Sequence, residues 1–216
     1  MKKAFLLICV VFQFLSCSRK IEETPKAFDV YMSAVNAKYG TGDYIRAIEM
    51  INKGIEIFPD RAADWIEWRA FCKEYLKDYD GAINDFNKCI EIDPLKAENY
   101  YNRGRIKALM KKYPDAILDF TKSIEIDSSD HVAYFGRGNA KFEMQEYQEA
   151  IYDYNLAIGN YEHWLDANFN RGMAELKLGQ MESACKDFQI AKKQAIIARE
   201  SGNKWLSEKY FKNYCN

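Results

Sequence analysis

An alanine returns five times along this chain, at Ala47, Ala82, Ala116, Ala150 and Ala184, every 34 or 35 residues. A period of that length means that one supersecondary unit is rewritten again and again, and such a unit buries its apolar side only against its neighbours. Other columns fall into register on the alanines. Three residues earlier stand Tyr44, Tyr79, Tyr113, Tyr147 and Met181, and four residues later Ile51, Phe86, Phe120, Tyr154 and Phe188. Twelve residues earlier the position is small in Ala70, Gly104, Gly138 and Gly172, with Val35 as the exception. Small residues at matched depths let two backbones close while rings fill the flanking space, so each period predicts one antiparallel helix pair.

The breaks agree with that reading. Gly42, Lys77-Asp78 and Gly179 mark the turn inside a pair, and Pro59 and Pro94 end second helices because proline lacks the amide that would continue the ladder. Pro114 follows Tyr113 at the start of a second helix, where the missing donor has no intrahelical partner anyway.

The period, the recurring alanine, the aromatic columns and the terminal prolines resemble the tetratricopeptide repeat family, over residues 28–193. The resemblance implies an all-α, right-handed superhelical solenoid of five helical hairpins, at about 28–62, 63–96, 97–130, 131–164 and 165–193, closed by a capping segment at 194–216. The chain departs from the family in the first helices, where tryptophan and leucine are largely absent and Arg69, Arg103, Arg137 and Arg171 replace the leucine. The fourth repeat runs through an irregular junction, residues 159–164, in place of the acidic-proline ending.

Each arginine is followed at a constant interval by an aspartate, in Asp85, Asp119, Asp153 and Asp187, while the first repeat carries Ala34 and Met50 at these two sites. Charges that appear and vanish together predict an ion pair inside each hairpin. A basic stripe for nucleic acid is disfavoured, since 31 basic residues face 32 acidic ones.

At the N-terminus Lys2 and Lys3 precede an apolar stretch from Ala4 to Leu15 and then Ser16-Cys17-Ser18. The stretch is shorter than the ~20 residues of a membrane span, so residues 1–16 read as a signal peptide. Cys17 at its end resembles the bacterial lipoprotein signal, in which that cysteine becomes the lipidated first residue. Phe14 and Leu15 fit the pattern less well, and ordinary cleavage after the Ser16-Cys17-Ser18 run stays open. Residues 17–27 then form a polar, lipid-anchored tether. The expected location is the bacterial cell envelope, at the outer membrane on its periplasmic or surface face, with a soluble periplasmic or secreted form as the alternative.

An exported chain permits disulfides. Cys185 directly follows the last ladder alanine and Cys215 is penultimate; between them Leu206, Tyr210 and Tyr214 recur every four residues, as on a helix that caps the last repeat. A Cys185–Cys215 bridge would staple that cap, and exported tetratricopeptide lipoproteins resemble this arrangement. Cys72 and Cys89 read as small core residues.

Catalytic groups do not converge in this pattern. His131 and His163 lack cysteines or carboxylates at zinc-ligand spacing, and Gly136-Arg137-Gly138 and Gly40-Thr41-Gly42 lack the strand-to-helix context of a phosphate loop. Asp127 and Asp130 are loop residues between repeats, weak candidates for a hydrolase dyad. No enzyme, cofactor or metal is expected, and an envelope hydrolase is the least favoured reading.

What remains is a surface. In the family the first helices line the concave wall, and the corresponding sites here are rich in rings: Met32, Tyr39, Trp68, Phe71, Tyr75, Tyr101, Phe135, Phe142 and Phe169, with Asn36, Asn102, Arg105, Asn139 and Asn170 among them. Trp68, Phe71, Tyr101 and Phe135 are the rings expected to stand exposed, and with Asn102 and Arg105 they are the candidate contacts for a protein or peptide partner. The basic clamp with which some relatives hold a chaperone tail is not reproduced. The alternative is a self-assembling structural component, and oligomeric state is not readable from the sequence.

Overall fold

The computed structural model describes residues 25–159, 164–198 and 209–215, and no strand occurs among them. Cys17 and residues 1–16, Leu206, and His163 with the middle of the irregular junction lie outside the described residues. The chain forms two compact units that divide after Lys77. The first holds α1 (Pro25–Gly40), α2 (Tyr44–Ile57), a 3-10 turn (Pro59–Arg61) and α3 (Ala62–Tyr75). The second holds α4 (Tyr79–Ile92), α5 (Ala97–Leu109), α6 (Tyr113–Ile126), α7 (His131–Glu143), α8 (Tyr147–Ile158), α9 (Leu165–Lys177), α10 (Met181–Ala198) and a helical segment α11, described over 209–214. Within it α5 and α6, α7 and α8, and α9 and α10 pair as hairpins, and each pair packs on the next.

The element ends differ from the expected boundaries in two places. α1 begins at Pro25, inside the stretch read as a tether, because a proline is tolerated in a first helical turn. α10 runs to Ala198, past the expected repeat end at residue 193.

A left-handed turn residue recurs with the repeat. Gly42, Lys77, Lys111, Gln145 and Gly179 sit at left-handed φ of 76°, 62°, 60°, 65° and 76°. In the turns of Gly42, Lys111, Gln145 and Gly179 the next amide reaches back to a carbonyl of the first helix: Asp43 to Lys38 at 3.0 Å, and Lys112 to Lys107, Glu146 to Lys141 and Gln180 to Glu175 at 2.9 Å. This Schellman closure satisfies carbonyls that would otherwise be orphaned. Asp43, Asp78 and Asp130 cap the helices that follow them.

The core follows the columns. All five ladder alanines are buried, as are Ile51, Phe86, Phe120, Tyr154 and Phe188. At Gly138 an added Cβ would stand 2.8 Å from the Tyr154 ring, so the close approach of α7 and α8 depends on that glycine. The first unit is filled differently. Phe28 packs edge-on to Phe58 and Trp65, with Phe28–Trp65 centroids 5.1 Å apart, and the Trp65 indole lies so close to Gly54 that a Cβ there would be 2.9 Å from it. Tyr31 spans the hairpin, its hydroxyl donating to the Met50 carbonyl at 2.9 Å.

Candidate functional site

The recurring arginine is fully engaged in three hairpins. Arg103 donates from Nε and Nη2 to the Asp119 carboxylate at 2.9 and 2.6 Å, Arg137 to Asp153 at 2.9 and 2.7 Å, and Arg171 to Asp187 at 2.6 and 2.7 Å. The aspartates are buried and the arginines nearly so. Nη1 turns the other way and donates to the preceding repeat: Arg103 to Asn87 at 2.7 Å, Arg137 to Thr121 at 3.2 Å, Arg171 to Asn155 at 2.6 Å. In the first unit Arg69 Nη1 donates likewise to Asn52 at 2.7 Å. Arg69 and Asp85 belong to different units, so their pairing is not described. One planar guanidinium therefore ties a hairpin together and fastens it to the hairpin before.

Two parts of this ladder escaped the sequence reading. The polar column Asn52, Asn87, Thr121 and Asn155 lies directly after the large apolar column, so carrying the alignment one position further reveals it. The second is a lysine one turn after the arginine: Lys107 and Lys141 each place Nζ 2.8 Å from the same aspartate, giving Asp119 and Asp153 two cations apiece. In the last repeat that position is Glu175. It is buried, its Oε1 accepts from Ser183 Oγ at 2.6 Å, and its Oε2 has no hydrogen-bond partner among the described residues. Burial raises its carboxyl above the usual range, the Ser183 bond opposes this, and the charge of Asp187 adds to the rise.

The ladder is structural; the binding candidates sit on another face of the first helices. Trp68, Phe71, Tyr101 and Phe135, expected to be exposed, are half-buried. Each ring packs on another: Trp68 on Tyr39 at 5.3 Å, Phe71 on Trp68 at 6.4 Å, Tyr101 on Phe120 at 5.9 Å, Phe135 on Trp164 at 4.9 Å and on Tyr154 at 5.9 Å. A ring at such a site loses less to water by leaning on its neighbours than by standing clear.

Two patches result. In the first unit Tyr39 is packed among Tyr44, Trp68 and Tyr75, with the Tyr44 and Tyr75 rings stacked at 4.8 Å. Burial raises the Tyr39 phenol, which stays protonated at neutral pH. In the second unit helical spacing sets Phe135, Asn139 and Phe142 on one face of α7, and Tyr101 and Arg105 on one face of α5, beside Asn102. Asn139 Oδ1 accepts from the Tyr154 hydroxyl at 2.9 Å and from Asn170 Nδ2 at 2.9 Å. Both lone pairs are thereby used, which fixes the amide so that its two N–H donors point away from these partners.

At the end of the chain Cys185 and Cys215 form a disulfide, with alpha carbons 5.4 Å apart. Tyr210 of α11 lies 5.6 Å from both Phe169 and Phe188. Cys72 and Cys89 are buried thiols, and burial pushes the Cys72 thiol up to about 11. Gly136-Arg137-Gly138 lies inside α7, and no group of three or more metal-ligating side chains occurs among the described residues.

A profile of the tetratricopeptide repeat family matches residues 68–94 and 97–130. The chain is 33% identical over 76 residues to Heat shock protein STI1 of Saccharomyces cerevisiae, which covers 35% of this chain and 13% of that protein's length. Among solved structures, the crystal structure of MamA superposes with a TM-score of 0.70 at 22% identity, covering 77% of this chain and 96% of MamA. YrrB, described as a TPR protein with an unusual peptide-binding site, superposes with a TM-score of 0.64 at 17% identity, over 83% of this chain and 90% of YrrB. Two stretches of the chain thus match the tetratricopeptide repeat, and its fold is the all-helical repeat fold of these solved structures.

Proposed function

We propose that the chain is a non-enzymatic scaffold of the bacterial cell envelope, held to a membrane by lipid on Cys17, which binds a peptide segment of a protein partner on the first helices of its second unit. The observation that carries this is the pre-set Asn139 amide. Its oxygen is held by Tyr154 and Asn170, and it shares a helix face with the half-buried rings of Phe135 and Phe142. A peptide laid there gives up carbonyls to the amide and side chains to the rings, and the rings lose little entropy because they are already packed. Tyr101, Asn102 and Arg105 on α5 continue the surface. The Trp68 and Phe71 patch of the first unit is a second contact. The peptide-binding site named for YrrB supports a peptide ligand, and the N-terminal sequence pattern supports the envelope.

The experiment is photocrosslinking in living cells from a photoreactive residue at position 135, with position 118 on the exposed side of α6 as control. A discrete partner crosslinked from 135 and absent from 118 is the expected result. Crosslinks only between copies of this chain would replace the scaffold reading with self-assembly.

A further inference from the structure

The first unit gathers three phenols from three helices. Tyr39 stands near the end of α1, Tyr44 opens α2 and Tyr75 ends α3. The Tyr44 and Tyr75 rings lie 4.8 Å apart with 12° between their planes, so ring carbons of the two face each other across the stack. Tyr39 meets both rings edge-on, at 5.4 Å from each. Burial first, and then a hydrogen bond between the Tyr39 and Tyr75 hydroxyls, keeps the Tyr39 phenol protonated, which makes Tyr39 the donor and the Tyr75 oxygen the acceptor. Tyr75 is 57% exposed and Tyr44 is half-buried. An oxidant in solvent therefore reaches one phenol of the stack, and the second lies in contact with the first. The stacked pair Tyr210 and Tyr214 differs, for its rings are 5.9 Å apart and both belong to α11.

We propose that Tyr44 and Tyr75 form an oxidative crosslinking site, at which hydrogen peroxide acting through a haem peroxidase couples the two phenols into dityrosine and ties α2 to α3 covalently. Each phenol gives up one electron and one proton and becomes a phenoxyl radical, with spin density on the ring carbons next to the one that bears oxygen. One such carbon of each ring joins in the new carbon–carbon bond. The hydrogens on those two carbons then move to the two oxygens, which restores both rings as phenols. Two electrons and two protons leave the protein in all, and one hydrogen peroxide takes them up to become two waters. The hydrogen bond donated by Tyr39 favours this course, because it steadies the phenoxyl oxygen of Tyr75 while the partner radical forms.

The intact protein, dilute, is treated with a haem peroxidase and limiting hydrogen peroxide, then read by dityrosine fluorescence and by mass spectrometric peptide mapping. The expected product is a monomer lighter by two hydrogens, in which the peptides carrying Tyr44 and Tyr75 are joined. Tyr44→Phe and Tyr75→Phe keep a stacked ring and should each lose both the joined peptide and its fluorescence, with helicity unchanged. Tyr152 is exposed as well, at 62%, and Tyr152→Phe should leave the product as it is. A wild type without dityrosine, a monomeric crosslink that persists in Tyr44→Phe, or fluorescence carried by dimers alone would overturn the site. So would a bond from Tyr39 to the buried Cys72 thiol, which interacts with that phenol, in place of the Tyr44–Tyr75 link.

Discussion

Arg137 and Asp153 make a deeply buried ion pair, 14% and 0% exposed at the side chains. Removing the arginine leaves a buried carboxylate with Lys141 alone, and Arg137→Ala should cost about 3 kcal/mol in urea unfolding. A double-mutant cycle with Asp153→Ala should show strong coupling; additive losses would mean that the pair does not act as one. Glu175 is the opposite case, a carboxylate where two other repeats have a second cation on the aspartate. Its folded-state pKa is raised above the ordinary glutamate value of 4.5, so the folded chain favours the protonated form more than the unfolded chain does. Stability from this group is therefore complete below about 4.5 and is lost as pH rises through the folded value. Glu175→Gln should remove that loss, so the stability gap between variant and wild type should grow as pH goes from 4.5 to 8. Glu175→Lys restores the column and should add about 1–2 kcal/mol at pH 7 by placing an ammonium against Asp187, as Lys141 stands against Asp153. A destabilised lysine variant would show that the last hairpin is shaped for the acid.

The repeated turn sets the geometry of each hairpin, and its five left-handed residues are not chemically alike. Gly42 and Gly179 take that backbone without strain, whereas Lys77, Lys111 and Gln145 hold a Cβ against the following carbonyl. Gln145 is exposed, and its turn hydrogen bonds use backbone alone. Gln145→Gly should therefore stabilise the fourth repeat, by about 0.5–1 kcal/mol in thermal or denaturant unfolding, despite the extra freedom glycine gives the unfolded chain. The adjoining contact runs the other way. Gly138→Ala puts a methyl against Tyr154 and the Asp153 Cβ, and should cost about 1–3 kcal/mol because neither α7 nor α8 can shift without loosening the guanidinium tie.

For the whole molecule, binding and anchoring are separable. Asn139→Ala and Phe135→Ala should each weaken capture of the crosslinked partner by about 1 kcal/mol or more with helicity unchanged, while Leu118→Ala on the outer side should not. Equal loss from Leu118→Ala would move the binding surface to the second helices. Cys17→Ser should release the protein from the membrane fraction and abolish fatty-acid labelling. Retention on the membrane would favour the simpler signal-peptide reading.

The sequence by itself determined the repeat, because its period is written in buried residues. Ala116, Phe120 and Gly104 lie in different places along the chain, yet each answers to a packing need that recurs, and a recurring need leaves a column. The Arg–Asp interval was legible for the same reason, and the position of Cys215 after a helical pattern marked where the chain would turn back to Cys185. Tertiary structure decided what each column does. No local pattern says that Nη1 of Arg103 reaches Asn87 in the preceding repeat, since that bond depends on how one hairpin seats on another. Lys111 and Gln145 hide their left-handed turns because only the closing hydrogen bonds force that backbone on them. The exposure of Phe135 and Tyr101 was overestimated because hydropathy does not tell a ring facing solvent from one leaning on Trp164 or Phe120; which side of a ring is left for a partner is settled only when its neighbours are in place.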